Sequence, residues 1–394
     1  MVNVTDHPQQ EAAFVTTWRA LAAELVSSPQ PPECTAASGS AGEQLLFRTR
    51  LENAVDLLLL SCRIRAIHRA TRKVTLFRMC EVEIYANASK VHEDTFTHGD
   101  PQQETVGTWY FHKKGGTFKS GSFKGLDVTF GAPKLPVGFL IRSVLPLKSP
   151  DASDTATLRK EDLVEGPSLV VDTLLAALGV SSILDLVGGR DACLPIHHPM
   201  FSLERASASV KGGVVKTDEV DHAPARPGMT MCVGCGPRVG LVPRTTKDLL
   251  FAGRYYRRYL RLPSRAQASS ASKGNGSGVL MCPLAKLRAG IVSACLLPCL
   301  PLPPPSPEAA TGSSPASIQS RRDGILQDVA AATGATARLV ADVDATSKLA
   351  AGVAVGTDAA AELAFLKEHV LGQDVTKTTV IAALVGFCHT KGWS

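Results

Sequence analysis

The stretch CEVEIYANASKVHEDTFTHGDP, from Cys80 to Pro101, contains the pattern that decides the fold. In its first part, Glu81, Glu83 and Tyr85 are separated by single aliphatic residues. Because successive side chains of a β-strand point to opposite faces, both carboxylates and the phenol are expected on one face of a strand. This pattern suits either an amphipathic strand with a solvent-facing polar side or the wall of a pocket that carries out chemistry.

The segments on either side of this strand predict an α+β fold. Helical spacing of apolar residues indicates helices at residues 9–27, 52–62 and 166–178. Strands are predicted at residues 73–85, 108–112, 125–130, 139–144, 229–233 and 254–262. Strands dominate the first half without regular β-α-β alternation, which favours a single curved, mostly antiparallel sheet over a doubly wound one. We expect a partly open, barrel-like core with flanking helices.

Composition divides the chain into four parts. Residues 1–45 are expected to form an N-terminal helix and a Ser/Pro/Ala/Gly linker, and residues 46–263 the α+β domain. Residues 264–320 have the low complexity of a linker or insertion. Residues 321–394 are rich in alanine and are predicted to form a helical C-terminal appendage.

The formal net charge is only +6, but basic residues are concentrated in two segments. Seven lie between residues 244 and 265, against the single acid Asp248, and three tyrosines lie among them. Four lysines follow the TWYFH motif, at Lys113, Lys114, Lys119 and Lys124. Cations with adjacent aromatic rings suit phosphate neutralisation and base stacking, so a nucleic-acid partner is one interpretation. The alternative is a solvated basic edge strand.

The remaining motifs exclude several classes of protein. The sequence contains no GxxxxGK[ST] loop, GxSxG elbow or HExxH helix, which removes the commonest NTPase, hydrolase and zincin assignments. The CxxC pair Cys232 and Cys235, with Cys193, His197 and His198, could bind a structural zinc. The alternative is that these are ordinary buried thiols, and we expect neither metal nor cofactor.

The chain is not expected to cross a membrane. Its most apolar stretch, residues 289–302, has fourteen residues and two prolines. A transmembrane helix needs about 20 apolar residues. The N-terminus lacks the basic and apolar regions of a signal peptide. We therefore expect an intracellular protein.

Seven motifs, in the order in which they occur, resemble those of the alkyladenine (3-methyladenine) DNA glycosylase family. They extend over roughly residues 53–262. They are AVDLLLL, EVEIY with its histidine-bearing loop, WYFHKKGGTF, GFLIRSVLPL, EGPSLVVDTLLAALGV, FSLER, and PRVGL with RYYRRYLR. The resemblance implies a monofunctional hydrolase of base excision repair, acting as a nuclear monomer on double-stranded DNA without a cofactor.

The family also implies roles for individual residues. Glu83 would activate the water that attacks the sugar C1′ of a flipped alkylated purine, and Glu81 would be a less important neighbour. Tyr85 and His98 would stack on the base, with His92 as an alternative to His98, and Arg142 would lie beneath the pocket. The nucleic acid would be contacted by Lys119, Phe123, Lys124, Arg254, Arg257, Arg258 and Arg261.

Three positions depart from the family pattern. Lys124 falls at the tyrosine that wedges into DNA, although Phe123 is adjacent. Gly121 falls at a second pocket aromatic, and Gly131 at the asparagine that screens purines. A lysine cannot replace the stacking of a ring. The substrate could therefore be single-stranded DNA or RNA, or the protein could be a catalytically inactive nucleic-acid-binding descendant.

Overall fold

The computed structural model describes residues 16, 18–20, 41–89, 91–147, 162–189, 192–205, 232–236, 238–254, 256–261 and 359–373. The chain divides into two compact units. The first comprises Met1–Glu93, Thr97–Val233 and Tyr259–Gly274. The second comprises Asp94–Phe96, Gly234–Arg258 and Asn275–Ser394.

The first unit is built around one large, mostly antiparallel sheet that nearly closes into a barrel. Its strands are β1 (Cys62–Ile67), β2 (Val74–Ala88), β3 (His92–Glu93), β4 (Val106–Phe111), β7 (Leu126–Phe130), β8 (Val137–Leu147), β9 (Val164–Glu165), β10 (Leu194–Pro195), β11 (His197–His198) and β12 (Phe201–Arg205). The strand order is β10-β4-β7-β8-β2-β1-β12-β11, with β3 beside β2 and β9 beside β8. A separate hairpin joins β5 (Lys113–Lys114) to β6 (Thr117–Phe118).

In the part of the chain that the structure describes, helices that flank this sheet include α1 (Ala41–Ser61), α2 (Pro167–Leu178) and α3 (Ile183–Val187). The α1 helix contacts β1 and β2, and the Arg78 guanidinium donates to the Leu59 and Leu60 carbonyls in its last turn. A cation there compensates the negative end of the helix dipole. The α2 helix contacts β1, β8 and β9 and begins with proline in its first turn.

The two faces of the sheet differ in chemistry. On one face, Ile84, Phe139, Val128 and Trp109 are paired across four neighbouring strands, and all four are buried. The Trp18 ring packs on this face, with its centroid 4.7 Å from that of the Phe130 ring. The opposite face carries Glu83, Leu140, Asp127 and Tyr110 in the adjacent cross-strand row. Charged side chains therefore line one side of a sheet whose other side is the hydrophobic core.

The described part of the second unit contains α4 (Thr246–Gly253) and α5 (Ala359–His369). Two further strands, β13 (Cys232–Gly236) and β14 (Arg257–Arg261), pair with each other and cross the boundary between the units. The Arg238 guanidinium donates to the Asp94 carboxylate at 2.6 and 3.1 Å, and both side chains are fully buried. The Phe96 and Tyr256 rings lie 5.5 and 5.6 Å from this guanidinium.

The predicted α+β class and the mostly antiparallel sheet are confirmed. Several boundaries differ from prediction: α1 begins at Ala41 instead of residue 52, β2 continues to Ala88, and β14 begins at Arg257 because α4 extends to Gly253. The strand predicted at 139–144 is longer, Val137–Leu147, and the one predicted at 229–233 is Cys232–Gly236. In the predicted helix at 9–27, the described residues 16 and 18–20 are helical. The 264–320 segment, residues 229–231 and most of 321–394 lie outside the described residues. None of the helices that the structure describes is long and apolar enough to span a membrane.

Candidate active site

The Glu83 carboxylate lies at the centre of a buried network on the polar face. Its Oε2 atom accepts a hydrogen bond from the Tyr85 hydroxyl at 2.9 Å and another from Arg142 Nη1 at 3.3 Å. The Arg142 Nε group donates to Glu81 Oε1 at 3.1 Å. Because Glu83 is 0% exposed, the alternative of a solvent-facing strand carboxylate is wrong.

Arg142 positions both carboxylates. Burial alone would lower its pKa, but the charges of Glu83 and Glu81 outweigh that effect and raise the pKa above its ordinary value. The guanidinium is thus permanently charged beside two acids. The sequence had placed Arg142 among the groups that bind substrate. In the structure it contacts Glu83 and Glu81 and fixes the direction in which they point, and its substrate-binding role stays a prediction.

A second polar cluster lies around His98. Its ring centroid is 4.4 Å from that of His112 in an edge arrangement and 6.3 Å from that of Tyr110. Burial, and then the nearby His112, lower the pKa of His98 to about 4, so its ring is neutral at pH 7. The Lys119 ammonium donates a hydrogen bond to His98 Nε2 at 3.1 Å. A neutral, partly exposed aromatic ring suits stacking on a base.

Asp127 and Gln103 complete this cluster beneath the histidines. His112 Nε2 lies 2.7 Å from Asp127 Oδ1, and Gln103 Nε2 donates to Asp127 Oδ2 at 2.9 Å. The carboxylate is 1% exposed. A Cβ at Gly138 would overlap both the Asp127 carboxylate and the Gln103 amide, so the site depends on the absence of a side chain there.

The loop between β6 and β7 presents an aromatic ring to solvent. It contains a 3₁₀-helix, Gly121–Phe123, and the Phe123 side chain at its end is 76% exposed. The adjacent Lys124 ammonium forms an ion pair with Asp172 on α2. Lys124 is therefore held against the protein while Phe123 projects outward. Of the two, Phe123 is the residue whose position fits insertion between bases.

Two further positions, Gly131 and His92, are constrained by the residues around them. A Cβ at Gly131 would overlap the carbonyl oxygen of Gln103, so no screening side chain can be placed there without moving the backbone. His92, the alternative stacking residue, is 2% exposed, and its Nδ1 lies 2.8 Å from the Ala86 carbonyl oxygen. Its ring packs against Phe47. His92 is a buried structural histidine, so its assignment as a stacking group was wrong.

The four arginines predicted to contact phosphates are not equivalent. Arg257 is 1% exposed, so its inclusion among the phosphate contacts is corrected. Arg254 is half-buried, with its guanidinium over the Phe251 and Tyr256 rings. Arg258 is half-exposed. The side chain of Arg261 lies outside the described residues.

The His112–Asp127 pair and its Gln103 partner were not among the residues predicted from the sequence. Alternation in the TWYFH motif places Tyr110 and His112 on one face, which could have revealed the histidine. Within the described ranges, no group of three or more His, Cys, Asp and Glu side chains could hold a metal ion. The side chain of Cys232, half of the CxxC pair, lies outside those ranges.

The chain matches no protein-family model. It is similar to an uncharacterized protein, L759, of Acanthamoeba polyphaga mimivirus, with 35% identity over 128 residues. The match covers 29% of this chain and 54% of the length of the viral protein. The similar segment thus extends over about half of the viral relative.

Proposed function

We propose that this protein is a nucleic-acid glycosylase that hydrolyses the N-glycosidic bond of a flipped, alkylated purine. The observation that carries the proposal is the orientation of Glu83 by Arg142 and Tyr85 on the polar face of the sheet. A carboxylate fixed in this way can take a proton from water and stabilise positive charge that develops on the sugar. Double-stranded DNA in the nucleus is the proposed substrate, with the protein acting as a monomer.

The surrounding side chains support recognition of a flat, extruded base. The Tyr85 hydroxyl is tied to Glu83, which fixes the phenol beside the carboxylate. The neutral His98 ring is a second stacking group. Outside the site, the exposed Phe123 ring can fill the gap that a flipped nucleotide leaves. These groups correspond to the three tasks of a base-excision enzyme: activation of water, stacking on the base and stabilisation of the opened duplex.

One observation favours a second candidate function, a nucleic-acid-binding protein without catalysis. Glu83 is 0% exposed, so a water molecule can reach its carboxylate only after the surrounding side chains move. A binding protein would need Phe123 and the basic loop but not an accessible carboxylate. It would show salt-sensitive binding, little preference for a lesion and no released base.

The proposal is tested by single-turnover release of 7-methylguanine from duplex and single-stranded oligonucleotides. Glu83→Gln is expected to reduce release by about 100-fold or more, because the amide cannot accept the proton. Glu204→Gln is the matched control, since Glu204 is also a buried strand carboxylate beside arginines, Arg63 and Arg65. Equal release by wild type and Glu83→Gln would remove the enzymatic assignment. Binding with no release by either would favour the second candidate.

A further inference from the structure

His112 and Asp127 form a histidine–carboxylate pair that the water-activating role of Glu83 does not use. The Nε2 atom of His112 lies 2.7 Å from Asp127 Oδ1, and the histidine side chain is 13% exposed. Its other ring nitrogen, Nδ1, has no hydrogen-bond partner among the residues that the structure describes. One nitrogen is therefore fixed by a buried carboxylate, while the other is left for a ligand.

The pair is held from several sides. Gln103 donates to the second oxygen of Asp127 at 2.9 Å, and the Gln103 side-chain oxygen accepts from the Asp100 backbone N–H at 3.3 Å. Gly138 leaves the space that the Asp127 carboxylate occupies. The carboxylate cannot turn away from His112 without losing these contacts. Such fixation of the ring is what proton transfer in a defined direction requires.

The pair lies on the same face of the sheet as Glu83. Glu83 and Asp127 both pair with Leu140, one from each neighbouring strand. Two strand spacings separate their Cα atoms by roughly 9–10 Å. The buried Leu140 side chain lies between them on this face, so a substrate can reach both groups only after side chains move.

We propose that His112 is the general acid that protonates the leaving base when that base is uncharged, and that Asp127 is its positioning residue. The inference rests on the proposed glycosylase function. As the C1′–N bond breaks, its electron pair stays on the base, and a proton from His112 Nδ1 goes to a ring nitrogen of that base. Glu83 takes a proton from the attacking water, and the new C1′–O bond leaves a sugar hydroxyl. Solvent then returns a proton to His112 and removes one from Glu83.

Three other titratable side chains surround His112. The edge of the neutral His98 ring faces it, and Tyr110 lies with its ring centroid 5.7 Å from that of His112. Lys119 is bound to His98. Burial raises the pKa of the Tyr110 hydroxyl and lowers that of Lys119. Tyr110 therefore holds its own proton tightly, and Asp127 is the acidic partner that contacts His112 directly.

The charge of the leaving base allows an experiment to distinguish general-acid catalysis by His112 from a purely structural role. A base that carries a positive charge, such as 7-methylguanine, leaves without a proton, whereas neutral hypoxanthine needs one. We therefore compare release of both bases from otherwise identical duplex oligonucleotides under single-turnover conditions. His112→Gln and Asp127→Asn are expected to slow hypoxanthine release by about 100-fold or more and to leave 7-methylguanine release unchanged. Retained release of the cationic base also shows that each variant is folded.

Two control variants distinguish the possible failures. Glu83→Gln is expected to lose release of both bases, and His198→Gln, which alters a half-buried histidine of β11, is expected to lose neither. If His112→Gln slows both bases equally or slows neither, the general-acid assignment is overturned while the proposed function stands. If the wild-type protein releases neither base, both are overturned.

Discussion

Replacing Arg142 by methionine is expected to destabilise the fold far more than loss of an ordinary surface ion pair. The guanidinium contacts Glu81 at 3.1 Å and Glu83 at 3.3 Å. The side chains are 9% exposed for Arg142 and 4% and 0% exposed for the two acids, so solvent cannot replace the lost cation. Removing one partner of such a buried pair typically costs about 3–5 kcal/mol. Because two carboxylates are affected, we expect the loss to lie in the upper part of this range.

The assay is urea denaturation at pH 7, followed by circular dichroism, with the unfolding free energy compared at equal m-values. Arg65→Met is the matched control, because Arg65 also contacts a strand glutamate, Glu204, at 3.4 Å but is 21% exposed. Glu204 also keeps its contact with Arg63 at 3.7 Å. Because solvent reaches Arg65 and Glu204 keeps a second cation, we expect Arg65→Met to lose about 1 kcal/mol or less.

A compensating variant tests the cause of the loss. Adding Glu81→Gln and Glu83→Gln to Arg142→Met removes the uncompensated charges, so most of the lost stability should return. Two results would refute the electrostatic reasoning. One is a loss below about 1 kcal/mol in Arg142→Met, and the other is a triple variant no more stable than the single one.

Further predictions concern Gly131, His98 and Phe123. Gly131→Ala should lower the unfolding free energy by about 1–3 kcal/mol, since its Cβ would overlap the Gln103 carbonyl oxygen; urea denaturation showing no loss would contradict this. NMR titration should give His98 a pKa of about 4, and His112→Gln should raise it; a value near the ordinary 6.5 in the wild type would contradict the described burial. Because unfolded His98 binds its proton at higher pH than folded His98, its contribution to stability is present above pH 6.5 and is lost as pH falls toward about 4. Phe123→Ala should leave stability unchanged, because the ring is 76% exposed, but should weaken duplex binding in a fluorescence titration.

Alternation in the EVEIY segment was sufficient to predict the polar face of β2, because side-chain direction in a strand depends only on local spacing. The same reasoning did not show that this face is buried. Burial of Glu83 depends on Arg142, which is 59 residues away in sequence and reaches Glu83 only through the register of β8. That register is interrupted by an irregularity between Met79 and Val82, which local patterns do not reveal.

Three other features, α4, the His112–Asp127 contact and the position of Lys124, were not predicted from the sequence for different reasons. The α4 helix carries a capping box at Thr245 and Asp248, a signal present in the sequence but outweighed by the basic and aromatic residues that follow. The His112–Asp127 contact joins neighbouring strands through a loop, so spacing along the chain does not reveal it. Lys124 departs from the family pattern, but its position could be understood only from the ion pair with Asp172.

The α2 helix links the surface loop to the buried carboxylates. The N–H of Gly166, just before its first turn, donates to the Arg142 carbonyl oxygen at 2.8 Å, and Asp172 holds Lys124, next to the exposed Phe123 ring. The start of α2 thus contacts the strand that carries Arg142, and its Asp172 contacts the loop that carries Phe123. Under the proposed function, the ring that enters a duplex and the strand that orients Glu83 would share this one helix as their support.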